Sequence, residues 1–131
     1  ERQGVANKQD PRALRRLVEA ARSRGQGEIF GGYDAEGQLH AAVFVVWQPS
    51  GASYIAGGSD PALRASGAHA LTLWEAVCHT AQYTDIFDLE GSMLRGVERF
   101  FREFGGVQAP YFCIRRGRPS LWDRARMKWR I

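Results

Sequence analysis

A mixed α/β sheet covered by helices on both faces is the fold class this sequence predicts, on three observations. Residues 28–59 hold three strand-like apolar segments separated by short turns, an antiparallel meander. Two segments on either side of it, 11–24 and 68–83, carry apolar residues at helical period. After the second of these the chain alternates strand and helix, which calls for a sheet with helices packed on it.

The elements follow in order. Asp10-Pro11 is a helix start, with a capping carboxylate and a proline suited to the first turn. Leu14, Leu17, Val18 and Ala21 repeat at helical spacing, and Gly25 ends the helix. Glu28–Tyr33 reads as a strand, Asp34-Ala35-Glu36-Gly37 as a hairpin turn and Leu39–Trp47 as a long apolar strand. Pro49-Ser50-Gly51 turns the chain into a third strand, Ser53–Ser59. Its Gly57-Gly58 pair marks a bulge or a close approach by another backbone or a ligand. A loop over 60–67 leads to a helix reaching about Tyr83, with Ala70, Trp74, Val77, Cys78 and Ala81 as its buried face. A last strand, Tyr111–Arg115, closes the order α-β-β-β-α-β-α-β, with residues 1–115 as one domain and 116–131 as a tail.

The stretch Thr84–Gly106 is the most informative. It begins as a strand, Ile86-Phe87-Asp88-Leu89-Glu90, and turns at Gly91-Ser92. It then enters a helix whose Val97, Phe100, Phe101 and Phe104 share one face, with Gly105-Gly106 as the cap. Alternation along a strand puts Asp88 and Glu90 on one side, opposite Phe87 and Leu89. A carboxylate pair inside a covered sheet points to acid–base work, and such residues gather at strand C-termini in open α/β sheets. The competing reading puts one or both past the strand end, where they cap the turn or the next helix.

Charge is unevenly distributed. The chain of 131 residues carries a formal net charge of +4, yet residues 115–131 hold Arg115, Arg116, Arg118, Arg124, Arg126, Lys128 and Arg130 against Asp123 alone. The body is therefore slightly acidic, which argues against a nucleic-acid-binding domain. The basic tail is suited to a membrane surface, an anionic partner or RNA, or to packing on a neighbouring domain. Cys78 and Cys113 are unpatterned and read as small buried hydrophobes, and His40, His69 and His79 show no metal spacing, so no metal is expected. No run approaches the roughly 20 apolar residues of a membrane span, and a cytoplasmic setting is the expectation.

Three segments carry a resemblance to a known family: Leu73-Trp74-Glu75-Ala76-Val77, then Phe87-Asp88-Leu89-Glu90-Gly91-Ser92, then Gly96-Val97-Glu98-Arg99-Phe100-Phe101 with Phe104-Gly105-Gly106. Over about residues 28–115 their order and spacing resemble the GNAT acyltransferase superfamily, and more narrowly its BioF2-like/FemAB-like branch. The resemblance implies a GNAT-like N-acyltransferase fold lacking its first strand. It also implies a tandem enzyme of which this chain, beginning at Glu1, is the C-terminal half.

The resemblance further implies an acyl-CoA cosubstrate wedged between splayed strands 53–59 and 85–90, its thioester polarised by backbone N–H groups. Asp88 or Glu90 serves as general base or binds the acceptor amine, with Ser92 orienting the acceptor or capping the helix after it. Tyr83 and Tyr111 are candidate acids for the leaving group. The pyrophosphate falls on the helix start, Arg64-Ala65-Ser66-Gly67-Ala68-His69. Arg64 and Gly67 match the superfamily pattern R/Q-x-x-G-x-G/A, while His69 stands where a small residue belongs. An imidazole there crowds the phosphate site and predicts weak CoA affinity, relieved by glycine. The bland alternative has Ser66 capping the helix and Arg64 solvated.

Three functions compete. The first is acyl transfer from acyl-CoA to an amine on a small molecule. The second is FemAB-like transfer from aminoacyl-tRNA to a peptidoglycan (cell-wall) precursor. The third is a non-catalytic half that supports a second GNAT-like domain N-terminal to it.

Overall fold

The computed structural model describes residues 10–92 and 94–110. Their contacts divide after Glu90 into two compact units, taken one at a time below. The strand expected at Tyr111–Arg115, Cys113 and the basic tail lie outside the described residues.

In the first unit, helix α1 (Pro11–Ser23) is capped as its sequence requires, Asp10 Oδ1 accepting from the Arg12 N–H at 3.0 Å. Strands β1 (Gly27–Tyr33), β2 (Leu39–Gln48) and β3 (Gly51–Ser59) form an antiparallel meander, and β4 (Phe87–Asp88) joins β3 in parallel, giving the order β1-β2-β3-β4. The expected mixed α/β sheet is therefore present. Between β1 and β2, Asp34 organises the turn: its Oδ1 accepts from the Gln38 N–H at 2.7 Å and the Glu36 N–H at 3.1 Å.

Both faces of the sheet are covered. At Gly27 an added Cβ would stand 2.5 Å from the Ala21 Cβ, so α1 lies against that face. At Gly32, five residues on and therefore on the opposite face, it would stand 2.5 Å from Thr72 Oγ1 of helix α2 (Ala68–Thr80). Ala41, Val43 and Val45 of β2 are in register with that second face and are essentially inaccessible, as are Leu73 and Ala76 of α2.

Helix α2 buries a different face from the one its apolar residues suggest. Thr72, Leu73, Ala76 and Thr80 are buried, whereas Trp74 is 51% exposed and Cys78 is exposed. The two threonines make this face suitable for burial by donating to their own helix, Thr72 Oγ1 to the Ala68 carbonyl at 2.7 Å and Thr80 Oγ1 to that of Ala76 at 2.9 Å. No hydroxyl on this face is left unsatisfied, and Thr72 Oγ1 is the atom that lies against Gly32. Trp47, by contrast, is core as expected, 8% exposed, and stacks on Tyr83 at 5.2 Å with His79 edge-on.

The second unit holds helix α3 (Arg95–Arg102). Ser92 Oγ accepts from the Leu94 N–H at 3.1 Å just before it. Phe101 is buried, Phe100 packs on Phe101 and Phe104, and the ion pairs Glu98–Arg102 and Arg99–Glu103 run along the polar side. The helix ends at Arg102 with Glu103 at its C-cap, two residues before the expected Gly105, which takes φ +77° in the turn that follows.

Candidate active site at the fork between β3 and β4

Strand β3 is paired with β2 along its whole length but with β4 over only two rungs, Ala52↔Phe87 and Ser53↔Asp88. Pairing stops after Ser53 because β4 itself ends at Asp88. Residues Tyr54–Ser59 then have no strand on that side among the described residues. The strands expected at 53–59 and 85–90 are neighbours, but the second spans only Phe87–Asp88 and ends with Asp88 paired to Ser53.

The bulge lies slightly earlier than the glycine pair. Phe44 pairs with Ala56 and Val45 with Tyr54, which leaves Ile55 as the extra residue. Gly57 marks a close approach instead. An added Cβ there would meet the Tyr54 hydroxyl, so the phenol lies along the strand over Gly57. Burial pushes the Tyr54 phenol up to about 12.

At the end of β3 the chain makes a short 3₁₀ helix, Pro61–Ser66, capped by Asp60 Oδ1 accepting from the Ala62 N–H at 2.9 Å. Gly67 at φ +71° then redirects it into α2. Ser66 Oγ accepts from the Ala68 N–H at 3.3 Å, and Arg64 is exposed, the arrangement of the bland alternative. An added Cβ at Gly58 or Gly67 would meet no atom within 4 Å, so both face open space on that side. An exposed turn of small residues opening a helix offers backbone N–H groups that suit an anion.

His69 is turned toward the sheet. The Gly58 backbone hydrogen-bonds its ring, and the Tyr54 ring stands edge-on at 6.4 Å. Burial, with a smaller contribution from the Arg64 charge, holds its pKa below the ordinary histidine value against the opposing effect of the Gly58 bond. What the sequence suggests as crowding of the helix start is, in three dimensions, a link from that start to β3.

The carboxylate pair is arranged differently from the expected strand. Asp88 is the last residue of β4, and Asp88 Oδ1 accepts from the Glu90 N–H at 2.7 Å. Glu90 lies past the strand end at φ +62°, so the period of two stops before reaching it. Both carboxylates are exposed. Ser92 accepts the Leu94 N–H, the capping-type role weighed for it. Of the candidate acids, Tyr83 is half exposed and stacks on Trp47, while Tyr111 lies outside the described residues. Tyr54, which no motif singles out, is the aromatic residue the fold brings to the fork. Its only signal in the sequence is a glycine three positions later.

No curated protein matches the chain. Among solved structures, a tetramutant of the BH1408 protein from Bacillus halodurans superposes with a TM-score of 0.65 at 13% identity, covering 86% of this chain and 78% of that one. An acetyltransferase of Trypanosoma brucei superposes at 0.55 with 15% identity, covering 86% and 82%. At such identities the likeness is one of fold. A family model described as an acetyltransferase (GNAT) domain matches residues 1–102. With the forked sheet and the helix that follows it, that match makes this chain a member of the GNAT acetyltransferase domain family.

Proposed function

We propose that this domain is an N-acyltransferase that takes its acyl group from an acyl-CoA and delivers it to an amine. The order of elements carries the proposal: β3 pairs in parallel with β4 over two rungs and leads through the 3₁₀ helix Pro61–Ser66 to the start of α2. Ser66, Gly67 and Ala68 would receive the anionic end of the donor, with Arg64 beside them. Acyl-CoA supplies the activated acyl group. Asp88, the last residue of β4, would accept the proton of the attacking amine, its other task being to hold the turn through the Glu90 N–H. On the quoted segments we further place the chain in the BioF2-like/FemAB-like branch, paired with a second such domain.

Titration with acetyl-CoA together with a thiol-release assay over a panel of primary amines tests the reading. Saturable binding between about 10 µM and 1 mM is expected for a domain without its partner, roughly −7 to −4 kcal/mol. Absence of both binding and thiol release overturns it.

A supporting, non-catalytic role is the second reading. The exposure of Asp88 and Glu90 and the use of Asp88 in a turn favour it. Saturable acetyl-CoA binding with no thiol release on any amine of the panel would select it.

A further inference from the structure

Strand β1 closes the sheet on the side away from β4, and its outer edge carries no strand among the described residues. The direction of its backbone groups is fixed. The Gln26 carbonyl accepts from the Trp47 N–H at 2.9 Å, so even-numbered residues of β1 face β2 and odd-numbered ones point their N–H and C=O groups outward. The Ile29 N–H accordingly leaves the ladder and donates to Glu28 Oε1 at 2.9 Å, a carboxylate that also holds Arg22 Nη2 at 3.1 Å. Little keeps this edge from pairing: Gly27–Tyr33 contains no proline or lysine, its single charge is Glu28, and its irregularity lies at the last step, Gly32/Tyr33. On the face that α1 covers, Ile29 is 44% and Tyr33 65% exposed, with the Tyr33 ring lying over Gly31. Charge is divided along the strand. Arg22 and Arg24 precede it, whereas Asp34 and Glu36 follow it in the hairpin turn.

We propose that this edge is a self-association surface, on which a second copy of the chain pairs β1 to β1, antiparallel about a two-fold axis at Phe30, joining two four-stranded sheets into one. Outward-pointing residues can bond only with outward-pointing residues, which leaves few registers. The one centred on Phe30 sets Ile29 opposite Gly31, Glu28 opposite Gly32 and Tyr33 opposite Gly27 of the second copy. Every glycine of the strand then faces a larger residue, and Ile29 meets the Tyr33 ring where it covers Gly31. Centring on Ile29 would set Gly27 against Gly31, and centring on Gly31 would set Glu28 against Asp34, two like charges. Charge selects the direction as well. Antiparallel pairing brings Arg24 of each copy beside Glu36 of the other at both ends of the ladder, whereas parallel pairing would gather bases at one end and acids at the other. Arg24 and Glu36 are exposed, and neither is in an ion pair among the described residues. Pairing has to displace Glu28 from the Ile29 N–H, and a seven-residue strand falls at the small end of specific interfaces, so Kd lies at about 10 µM to 1 mM. Because β4 is at the far edge of the sheet, the pairing leaves Asp88 untouched and stands apart from the acyl-transfer reading.

Sedimentation velocity on the full chain, from about 5 µM to 1 mM, reads the association, and a monomer–dimer equilibrium is expected. Hydrogen exchange over the same range locates it: the Ile29 and Gly31 amides gain protection as concentration rises, while those of Phe87 and Asp88 do not. Ile29→Lys places a charge in the new ladder and is expected to raise Kd about tenfold. Arg24→Glu and Glu36→Arg each set like charges together at both ends and weaken the dimer roughly five- to tenfold, whereas the two substitutions combined recover most of the wild-type association. That recovery is something a merely destabilised fold would not give, and it keeps the question answerable if Ile29→Lys does not fold. A chain that stays monomeric across the range overturns the proposal, and cover of the edge by a second, tandem domain would appear as that outcome. Association that grows past the dimer overturns it too, because a two-fold edge pairing closes on itself. So does a dimer that gains no protection at Ile29 and Gly31 or that is indifferent to the charge exchange.

Discussion

Asp88 and Glu90 are joined by a hydrogen bond, carboxylate to backbone N–H at 2.7 Å, across the point where β4 ends and the chain enters a left-handed residue. This bond separates two roles of one side chain. Asp88→Asn keeps an oxygen able to accept from the Glu90 N–H but can no longer take a proton. Turnover is expected to fall by roughly 10²-fold with the denaturation midpoint unmoved, read from thiol release and urea melts side by side.

Glu90 makes a complementary prediction. A side chain at φ +62° carries a left-handed strain of about 1 kcal/mol that glycine does not. Glu90→Gly is expected to raise stability by a few tenths to about 1 kcal/mol, because the looser unfolded chain offsets part of the gain. If turnover survives as well, Asp88 remains as the sole carboxylate candidate for the base.

Gly32 and Thr72 show how closely α2 lies on the sheet. Thr72 Oγ1 is fixed by its bond to the Ala68 carbonyl and cannot swing aside for a Cβ placed 2.5 Å away. Gly32→Ala should therefore destabilise by about 1–3 kcal/mol through overpacking. A thermal melt unchanged by the substitution would contradict this packing.

Leu73 and Trp74 are neighbours with opposite fates. Leu73 is fully buried, so Leu73→Ala should cost about 2–5 kcal/mol. Trp74 is 51% exposed, and Trp74→Ala should cost well under that, on the order of 1 kcal/mol. Chemical denaturation of the two variants checks the assignment of the helix face.

Acid pH acts through Asp34. The Gln38 N–H above all, then His40 at 3.0 Å from Oδ2, hold this carboxyl below its ordinary value of 3.8. The folded protein therefore releases the proton more readily than the unfolded chain does. The contribution is fully present above about pH 3.8, the unfolded value, and is lost as pH falls through the folded one. Acid unfolding of Asp34→Asn should lose that component, leaving a flatter profile below pH 4 than wild type shows.

The meander, the hairpin turn at Asp34–Gly37 and the cap at Asp10 were legible because each depends on local chemistry: alternation, a turn carboxylate, a capping oxygen. The pairing of β3 with β4 was legible through strand order, whereas the glycine pair lies at 57–58, beyond their two rungs. The buried face of α2 was not, because threonines whose hydroxyls bond their own helix act as apolar residues while remaining polar in sequence. Nor was the end of β4 legible, since one left-handed residue at Glu90 breaks the period of two and leaves no mark in composition. Tyr54 and His69 meet only through the crossover from β3 into α2, a contact that follows from topology.

The two-rung hold of β4 on β3 has a kinetic side. A strand secured by so few backbone bonds opens locally long before the sheet unfolds, whereas β2, paired on both sides over most of its ten residues, opens only with the whole. Amide protons around Phe87–Asp88 should exchange with solvent early, and those of β2 last. A bound donor beside this short pairing would be recorded as backbone amides that stop exchanging.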